Sequence, residues 1–583
     1  MDTGKISRYI TPLLLAILLG AIFLFYTSAL GIGDSWFHLN NGRWIVENGK
    51  LPTADHFTHT ASSEPSVRKT LILQAYWLSQ SFLYVLYKAA GFSGVVAVKA
   101  LLFTLVFFLL YLCLRDGGLP MAASAIAVAP VAVILREYGE VRPHMFSFLM
   151  CMLVFLLLER AGRKADRGWL SLVLLPACMA LWSNLHPGFV IGMGMAGIYL
   201  LAESIRFIRR GKDRDIRSFG RTALWLMASI LAVGLNPNGF RAVIWTFSEL
   251  GQSPFVAMID EYLPTHEYAR LTGDYSLLAG MAVLGALTSL ALLFSWRRLR
   301  LEHLLLYICF GYAAYRSYRF CPFFGLISVG LAGQYVMGLI PEKVSGIRAS
   351  GLMAQASLLF MAVWVMASAL GSGTILRDAV DSSNAPAGAV ATIRSSALPG
   401  ALYNPYEWGG YIGWWLYPRY PVFVDERTVD LQAQMDYTRA KEGSLSVLKE
   451  RGVNTVVFYT LDPLRLGGGV PGIVIGLLKD PSWGLVYFDD ISAVFVRRPA
   501  LERRTMMLGK ELLWEQLEER LDLWAKGSPD NHRPYAELGA LYAARGMREM
   551  AIKSLNISQE LSPGNAEALR VFNRYGIRPG GGI

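Results

Sequence analysis

Apolar stretches of about 17 to 25 residues, each long enough to cross a hydrocarbon core of roughly 30 Å, recur along this chain to about residue 370 and then stop. They fall near 9–30, 95–114, 121–136, 146–159, 169–184, 188–205, 222–235, 276–295, 303–318, 321–340 and 351–370, which predicts eleven transmembrane helices. The stretch Leu73–Ala90 is rich in aromatics and ends near Lys88, a pattern suited to a helix lying in the membrane interface. The first run is longer than a secretory signal core and lacks a small-residue cleavage site, so it reads as a retained anchor.

Past residue 385 the periodicity changes. Strand-like runs at Pro421–Arg427, Val453–Tyr459, Gly484–Phe488 and Ser492–Val496, with a helix ending near Lys449 and another at 471–479, predict a small α/β domain over 371–500. The remainder, 501–583, is helical and opens with an amphipathic helix at 501–526. There Ser528-Pro529-Asp530-Asn531 recurs thirty-four residues later as Ser562-Pro563-Gly564-Asn565, around the pattern Leu538-Gly539-Ala540-Leu541-Tyr542. That period resembles a tetratricopeptide repeat, a helix pair that buries its face on a neighbour or on a partner protein. The predicted fold class is a mainly α polytopic membrane protein, domain 1–370, carrying these two further segments.

With 583 residues, 54% hydrophobic and 17% charged, the composition excludes an ordinary soluble enzyme. The net charge of +11 suggests nucleic acid until its placement is read. Lys5 and Arg8, Arg115, Arg160 to Arg167, Arg206 to Arg221, Arg297 to Arg300, and Lys343 with Arg348 all occupy alternate links between spans, as the positive-inside rule requires of cytoplasmic loops. The N-terminus is then cytoplasmic and the C-terminal third lies outside, as in a multi-pass protein of a bacterial inner membrane. All five cysteines lie in apolar segments, so no disulfide framework or cysteine metal site is expected.

Candidate chemistry concentrates in the predicted outer segments 31–94, 137–145, 185–187, 236–275 and 319–320. Asp34 stands at the mouth of the first span, where a carboxylate is costly without a role or a partner. Gly42-Arg43-Trp44-Ile45 and Asn48-Gly49-Lys50-Leu51-Pro52 follow it, then Tyr76-Trp77-Leu78, and later Glu137-Tyr138-Gly139-Glu140-Val141-Arg142-Pro143-His144-Met145. Together these residues resemble the GT-C superfamily of integral membrane glycosyltransferases, nearest its protein mannosyltransferase and aminoarabinose transferase branch. The likeness covers roughly residues 1–370.

What the resemblance implies is transfer of a sugar, with inversion, from a polyprenyl-phosphate donor to a protein or glycan acceptor at the outer membrane face. Asp34 matches the family's first-loop acid and becomes the candidate base, with Glu140 as a second catalytic acid; the alternative for Asp34 is a helix cap. The family's Arg-Pro-Asp-Met reads Arg142-Pro143-His144-Met145 here. A histidine can ligate a divalent ion but does not supply a carboxylate's charge, so either Glu140 takes over or activity is lost. Asp34, His38, Glu140 and His144 are the candidate ligands of a divalent metal such as Mg or Mn. Arg43, Lys69, Arg142, Arg241, Arg316 and Arg319 are the candidate substrate or lipid-phosphate contacts, against the alternative of snorkelling or self-neutralising charges.

The pair His56 and His59 beside Asp55 is half of a zinc pattern, and an ordinary polar loop accounts for it as well. His186-Pro187-Gly188 reads as a tight turn at the cavity edge. Asn404-Pro405-Tyr406-Glu407-Trp408-Gly409-Gly410 and Val424-Asp425-Glu426-Arg427 resemble outer domains of bacterial GT-C-like proteins without a defined chemistry. The competing functional class is a non-catalytic scaffold or lipid-binding assembly protein that kept the fold and lost the second acid.

Overall fold

The computed structural model describes residues 3–62, 66–162, 168–211, 215–252, 260–336, 350–371, 378–427, 429–461, 470–500 and 507–577. Arg163, Lys164, Arg167, Lys212, Arg214, Lys343 and Arg348, the 337–340 end of one expected span and the 501–506 start of the amphipathic helix lie outside the described residues. The chain forms two compact units, Met1–Leu30 with Asn41–Thr53 and Pro65–Asp381, and Gly31–Asn40 with Ala54–Glu64 and Ser382–Ile583.

In the first unit a helix occupies each expected span position. In chain order they are α1 (Thr3–Phe25), α2 (Asp34–Asn48, whose first turns belong to the second unit), α3 (Val67–Gln74), α4 (Trp77–Asp116), α5 (Met121–Ile134), α6 (His144–Gly162), α7 (Gly168–Leu185) and α8 (Phe189–Arg209). Then follow α9 (Ile216–Ala232), α10 (Arg241–Gln252), α11 (Thr265–Thr272), α12 (Ser276–Phe294), α13 (Leu301–Arg316), α14 (Cys321–Val336) and a helix at Ser350–Gly371. Among the described residues seven helical stretches are long and apolar enough to cross a membrane; the apolar part of α1, Tyr9–Phe25, is shorter, as are α9, α13 and α14, at 17, 16 and 16 residues. The expected interfacial helix and the span after it are joined in the 40-residue α4, broken only at Gly91, whose φ of 63° a side chain rarely adopts.

Packing explains motifs that the sequence offered as chemistry. A Cβ on Gly42 would lie 2.0 Å from the Gln80 carbonyl oxygen, and Asn41 donates to Gln80 Oε1 (2.6 Å) and to the Leu73 carbonyl (2.9 Å), so Asn41-Gly42 lets α2 and α4 touch. Tyr26 stacks on Phe103 (4.4 Å) and donates to the Ala132 carbonyl (2.8 Å), tying α1, α4 and α5. Some arginines that set topology are also paired. Arg206 meets Glu302 (2.7 Å) and Arg300 meets Glu159 (3.1 Å), beside His303 bonded to the same Glu159 (2.8 Å).

The second unit holds a four-stranded sheet ordered β1 (Leu402–Tyr403), β2 (Thr455–Tyr459), β4 (Ser492–Arg497), β3 (Trp483–Phe488). β1 runs parallel to β2, while β4 is antiparallel to both β2 and β3. Every residue of β2 is buried, as befits a strand covered on both faces. The expected strand Pro421–Arg427 is a correction: it makes only an isolated bridge, Val422 with Thr58. Val422 bonds the backbone of Phe57 (2.8 Å) and His59 (3.0 Å), and the groups that follow are taken by a side chain: Asn404 accepts from Phe423 N–H (2.8 Å) and donates to the Val424 carbonyl (2.9 Å). Gly409 and Gly410 allow that segment's close approach, since a Cβ would lie 2.2 Å from the Val424 oxygen or 2.8 Å from the Phe37 nitrogen. The Asn-Pro-Tyr-Glu-Trp-Gly-Gly motif is therefore a packing device.

The tail begins with a helix at Lys510–Gly527, which buries Leu513, Trp514, Leu517 and Leu521 along one stripe and packs on the next helix. The helix pair His532–Arg545 and Arg548–Leu561 meets where Gly539 lies under Leu555. The two copies of the recurring tetrapeptide do one job: Asn531 and Asn565 each cap the following helix through Arg533 N–H (3.1 Å) and Ala568 N–H (2.8 Å).

His59 donates from Nε2 to the Leu402 carbonyl (2.9 Å), and burial holds its pKa below the ordinary 6.5. The unfolded chain therefore binds a proton first as pH falls below 6.5, and stability drops with acidification there. Thermal unfolding of the full chain between about pH 7.5 and about pH 5.5 should show that loss, and His59→Gln should shrink it.

Candidate functional site

Within the first unit, the ends of several helices enclose a cavity of about 380 Å³. Its wall is assembled from Tyr76 ahead of α4, the 3-10 turn Leu135–Tyr138 with Glu140, Arg142 and His144, the His186-Pro187-Gly188 turn between α7 and α8, Trp245 of α10, Glu261 and Tyr262, Tyr268 of α11, and the turn Tyr318–Phe320. Phe148, Val190, Ile191 and Phe323 make the rest largely apolar.

The charges are ordered. Arg142 lies between Glu140 (2.6 Å) and Glu261 (2.6 Å). Burial acts to raise the Glu261 pKa, but Arg142, Arg319 and His144 outweigh it and hold the carboxyl below its usual range, so it is ionised at neutral pH. Arg319 donates to the Tyr262 hydroxyl (2.8 Å) and rests over that ring (5.1 Å). Among the described residues no carboxylate lies within ion-pair distance of Arg319. Tyr138 and Tyr318 stack at 5.1 Å, and Tyr268 stacks on Tyr318 at 3.8 Å.

The two histidines of the cavity have assignable protons. His144 Nε2 faces the Tyr138 carbonyl (3.0 Å), which only accepts, so Nε2 carries the hydrogen. His186 Nδ1 accepts from Gly188 N–H (2.8 Å) and is bonded to Ser147 Oγ (2.8 Å), whose oxygen in turn accepts from Trp182 Nε1–H (2.8 Å). His186 is thus the Nε2–H tautomer. Gly188 is required here because a Cβ would stand 2.4 Å from Ser147 Oγ.

Of the residues singled out in the sequence, Glu140, Arg142, His144 and Arg319 share this cavity. Arg43, Lys69, Arg241 and Arg316 are not among its described lining. Arg43 pairs with Glu47 (3.2 Å), Lys69 lies in the first turn of α3, and Arg241 and Arg316 are exposed at helix ends. Asp34 and His38 belong to the second unit, where Asp34 begins α2 after Gly33 at φ 129°. Asp55 and His59 make no zinc site; Asp55 pairs with Arg427 (2.8 Å) and His59 bonds backbone. The sequence reading missed Glu261, Tyr262 and Tyr268, although Asp260-Glu261-Tyr262 was an acidic signal inside an outer segment.

The residues present do not fit a divalent metal. Among the described residues no group of three or more His, Cys, Asp or Glu side chains is arranged to hold one, and the Nε2 of His144 and the Oε2 of Glu140 are turned to Tyr138 and Arg142. What this cavity offers an anion is guanidinium.

No protein-family model matches the chain, and no curated protein matches it in sequence. Solved structures do match in fold. The archaeal oligosaccharyltransferase AglB from Archaeoglobus fulgidus, in complex with an inhibitory peptide and a dolichol-phosphate, aligns with a TM-score of 0.54 at 11% identity over 95% of this chain and 86% of that one. The arabinofuranosyltransferase AftD from mycobacteria aligns at 0.54 and 14% identity over 84% of this chain and 40% of that one. ArnT from Cupriavidus metallidurans in the apo state gives 0.50 and 15% identity over 84% and 98%. At such identities the likeness establishes the architecture: the chain has the GT-C fold.

Proposed function

We propose that this chain transfers a sugar from a polyprenyl-phosphate donor to an acceptor at the outer face of a bacterial inner membrane, its N-terminus cytoplasmic and its C-terminal third outside. The observation that carries this reading is the presence of two guanidinium groups, Arg142 and Arg319, in one largely apolar cavity, Arg319 having no carboxylate within ion-pair distance among the described residues. A lipid-linked phosphate needs that combination, hydrocarbon for its tail and forked N–H donors for its oxygens. That an AglB of like fold was solved with a dolichol-phosphate supports it.

In the proposed reaction the acceptor's nucleophile attacks the anomeric carbon while the bond from that carbon to the phosphate oxygen breaks. The electron pair leaves with the phosphate, met by Arg319 and Arg142, and the acceptor's proton passes to a carboxylate base, the role for which the sequence resemblance puts forward Asp34. No step is assigned to a metal. The tail helix pair is proposed to receive a protein partner in the manner of a tetratricopeptide repeat.

Binding of undecaprenyl phosphate to the purified full-length protein tests the reading. Arg319→Gln should weaken it about tenfold or more, the worth of a charge-assisted hydrogen bond of about 1.5–3 kcal/mol. Unchanged binding would remove the phosphate assignment. His144 at the family's acid position favours one competing reading, a lipid-binding scaffold; full binding with no sugar transfer in any variant or condition would support that one instead.

A further inference from the structure

The cavity does not end at its tyrosines. Beyond the Tyr268–Tyr318 stack lies a second chamber of about 110 Å³, and Glu137, Tyr268 and Tyr318 form part of the wall of both. A single water needs roughly 10–15 Å³ of such space, so the chamber holds several water-sized groups, the scale of one sugar ring.

Its chemistry differs from that of the larger cavity. It carries two carboxylates, Glu137 and Asp274, and among the described residues no lysine or arginine. Glu137 Oε2 accepts from the Tyr318 hydroxyl (2.5 Å), which leaves its other oxygen to take a ligand's donors, while Asp274, exposed at the rim, accepts from Ser276 N–H (2.8 Å) and from the Ser276 side chain and adds its negative charge to the wall. Leu277 and Leu278 supply an apolar floor beside the tyrosine rings.

We propose that this chamber is an acceptor subsite and that its ligand is a neutral glycan. A phosphate is repelled by two carboxylates and has the arginines of the larger cavity. A sugar ring brings hydroxyl donors that suit carboxylate acceptors and C–H faces that suit aromatic and leucine surfaces. A peptide carries as many backbone acceptors as donors, and acceptors already dominate this wall. The inference rests on the glycosyltransferase reading for the word acceptor, and on the chamber itself for the word glycan.

The test uses the purified full-length protein in lipid nanodiscs, with an array of neutral hexose and pentose oligosaccharides as the probe and undecaprenyl phosphate binding as the control. Wild type should capture a subset of the array. Asp274→Asn keeps the Ser276 hydrogen bond while removing the charge and should weaken capture about tenfold or more, the loss of a charged hydrogen bond; Leu278→Trp fills the space and should weaken it at least as much. Undecaprenyl phosphate binding should be unchanged in both. Glycan binding that persists with undecaprenyl phosphate already bound identifies the acceptor side. Competition by a polyprenyl-phosphate-linked sugar but not by the bare lipid phosphate would overturn that assignment in favour of the donor's sugar. No glycan captured, capture indifferent to both variants, or selective capture of peptides would overturn the inference even with lipid binding intact. Loss of lipid binding with glycan capture intact would instead count against the phosphate reading alone.

Discussion

Replacing Arg427 with methionine should destabilise the second unit by about 3–5 kcal/mol, the penalty for leaving buried charges without their partner. Arg427 pairs with Asp425 (2.5 Å) and Asp55 (2.8 Å), and the three side chains are 3%, 3% and 2% exposed. Asp55 also accepts from Phe57 N–H (3.0 Å) and Thr58 Oγ1–H (2.7 Å), so its loop depends on the same contact. Burial raises the Asp425 pKa and Arg427 opposes it, so loss of the arginine pushes that carboxyl further up. In Arg427→Met, limited proteolysis of the full chain should cut the second unit early, and its unfolding transition should fall. Adding Asp55→Asn and Asp425→Asn should recover much of the loss, because neutral amides no longer need a cation. If Arg427→Met alone unfolds like wild type, the triad is not what holds Val424-Asp425-Glu426-Arg427 in place.

The helices were legible because an apolar run of span length has few other uses, and the basic links separate one run from the next. The cavity was half legible. Glu140, Arg142, His144 and Arg319 stand out because a charge in a short link at a helix end is conspicuous. Glu261 was hidden: it meets Arg142 across 119 residues, from a segment whose short helices α10 and α11 carry no span-length pattern. Two motifs were legible as motifs but not in their meaning. Asn41-Gly42 and Gly409-Gly410 mark places where backbones touch, and nothing local in the sequence names the Gln80 or Val424 oxygen that a Cβ would strike. Pro421–Arg427 had the composition of a strand, but past Val422 a side chain, Asn404, took bonds that a neighbouring strand would have made.

Asp34→Asn should lower sugar transfer by about 10² to 10⁴ while expression and folding stay near normal. A positioned general base contributes on that scale. The competing role is structural: Asp34 opens the 15-residue α2, where an acid in the first turn is favoured by the helix dipole by about 0.3–1 kcal/mol. Asparagine keeps the shape and a side-chain oxygen, so it removes basicity and charge at little structural cost. Gly33 before it, at φ 129°, already sets the chain's entry into the helix and is untouched. Three measurements on one purified variant separate the roles: transfer, undecaprenyl phosphate binding and thermal unfolding. A base predicts lost transfer with binding and unfolding retained. A first-turn acid with no chemical role predicts a small shift in unfolding and wild-type transfer, and that outcome would remove Asp34 from the mechanism while leaving the arginines their phosphate. Glu140→Gln should reduce transfer less, because it breaks an ion pair to Arg142 that Glu261 still holds from the other side.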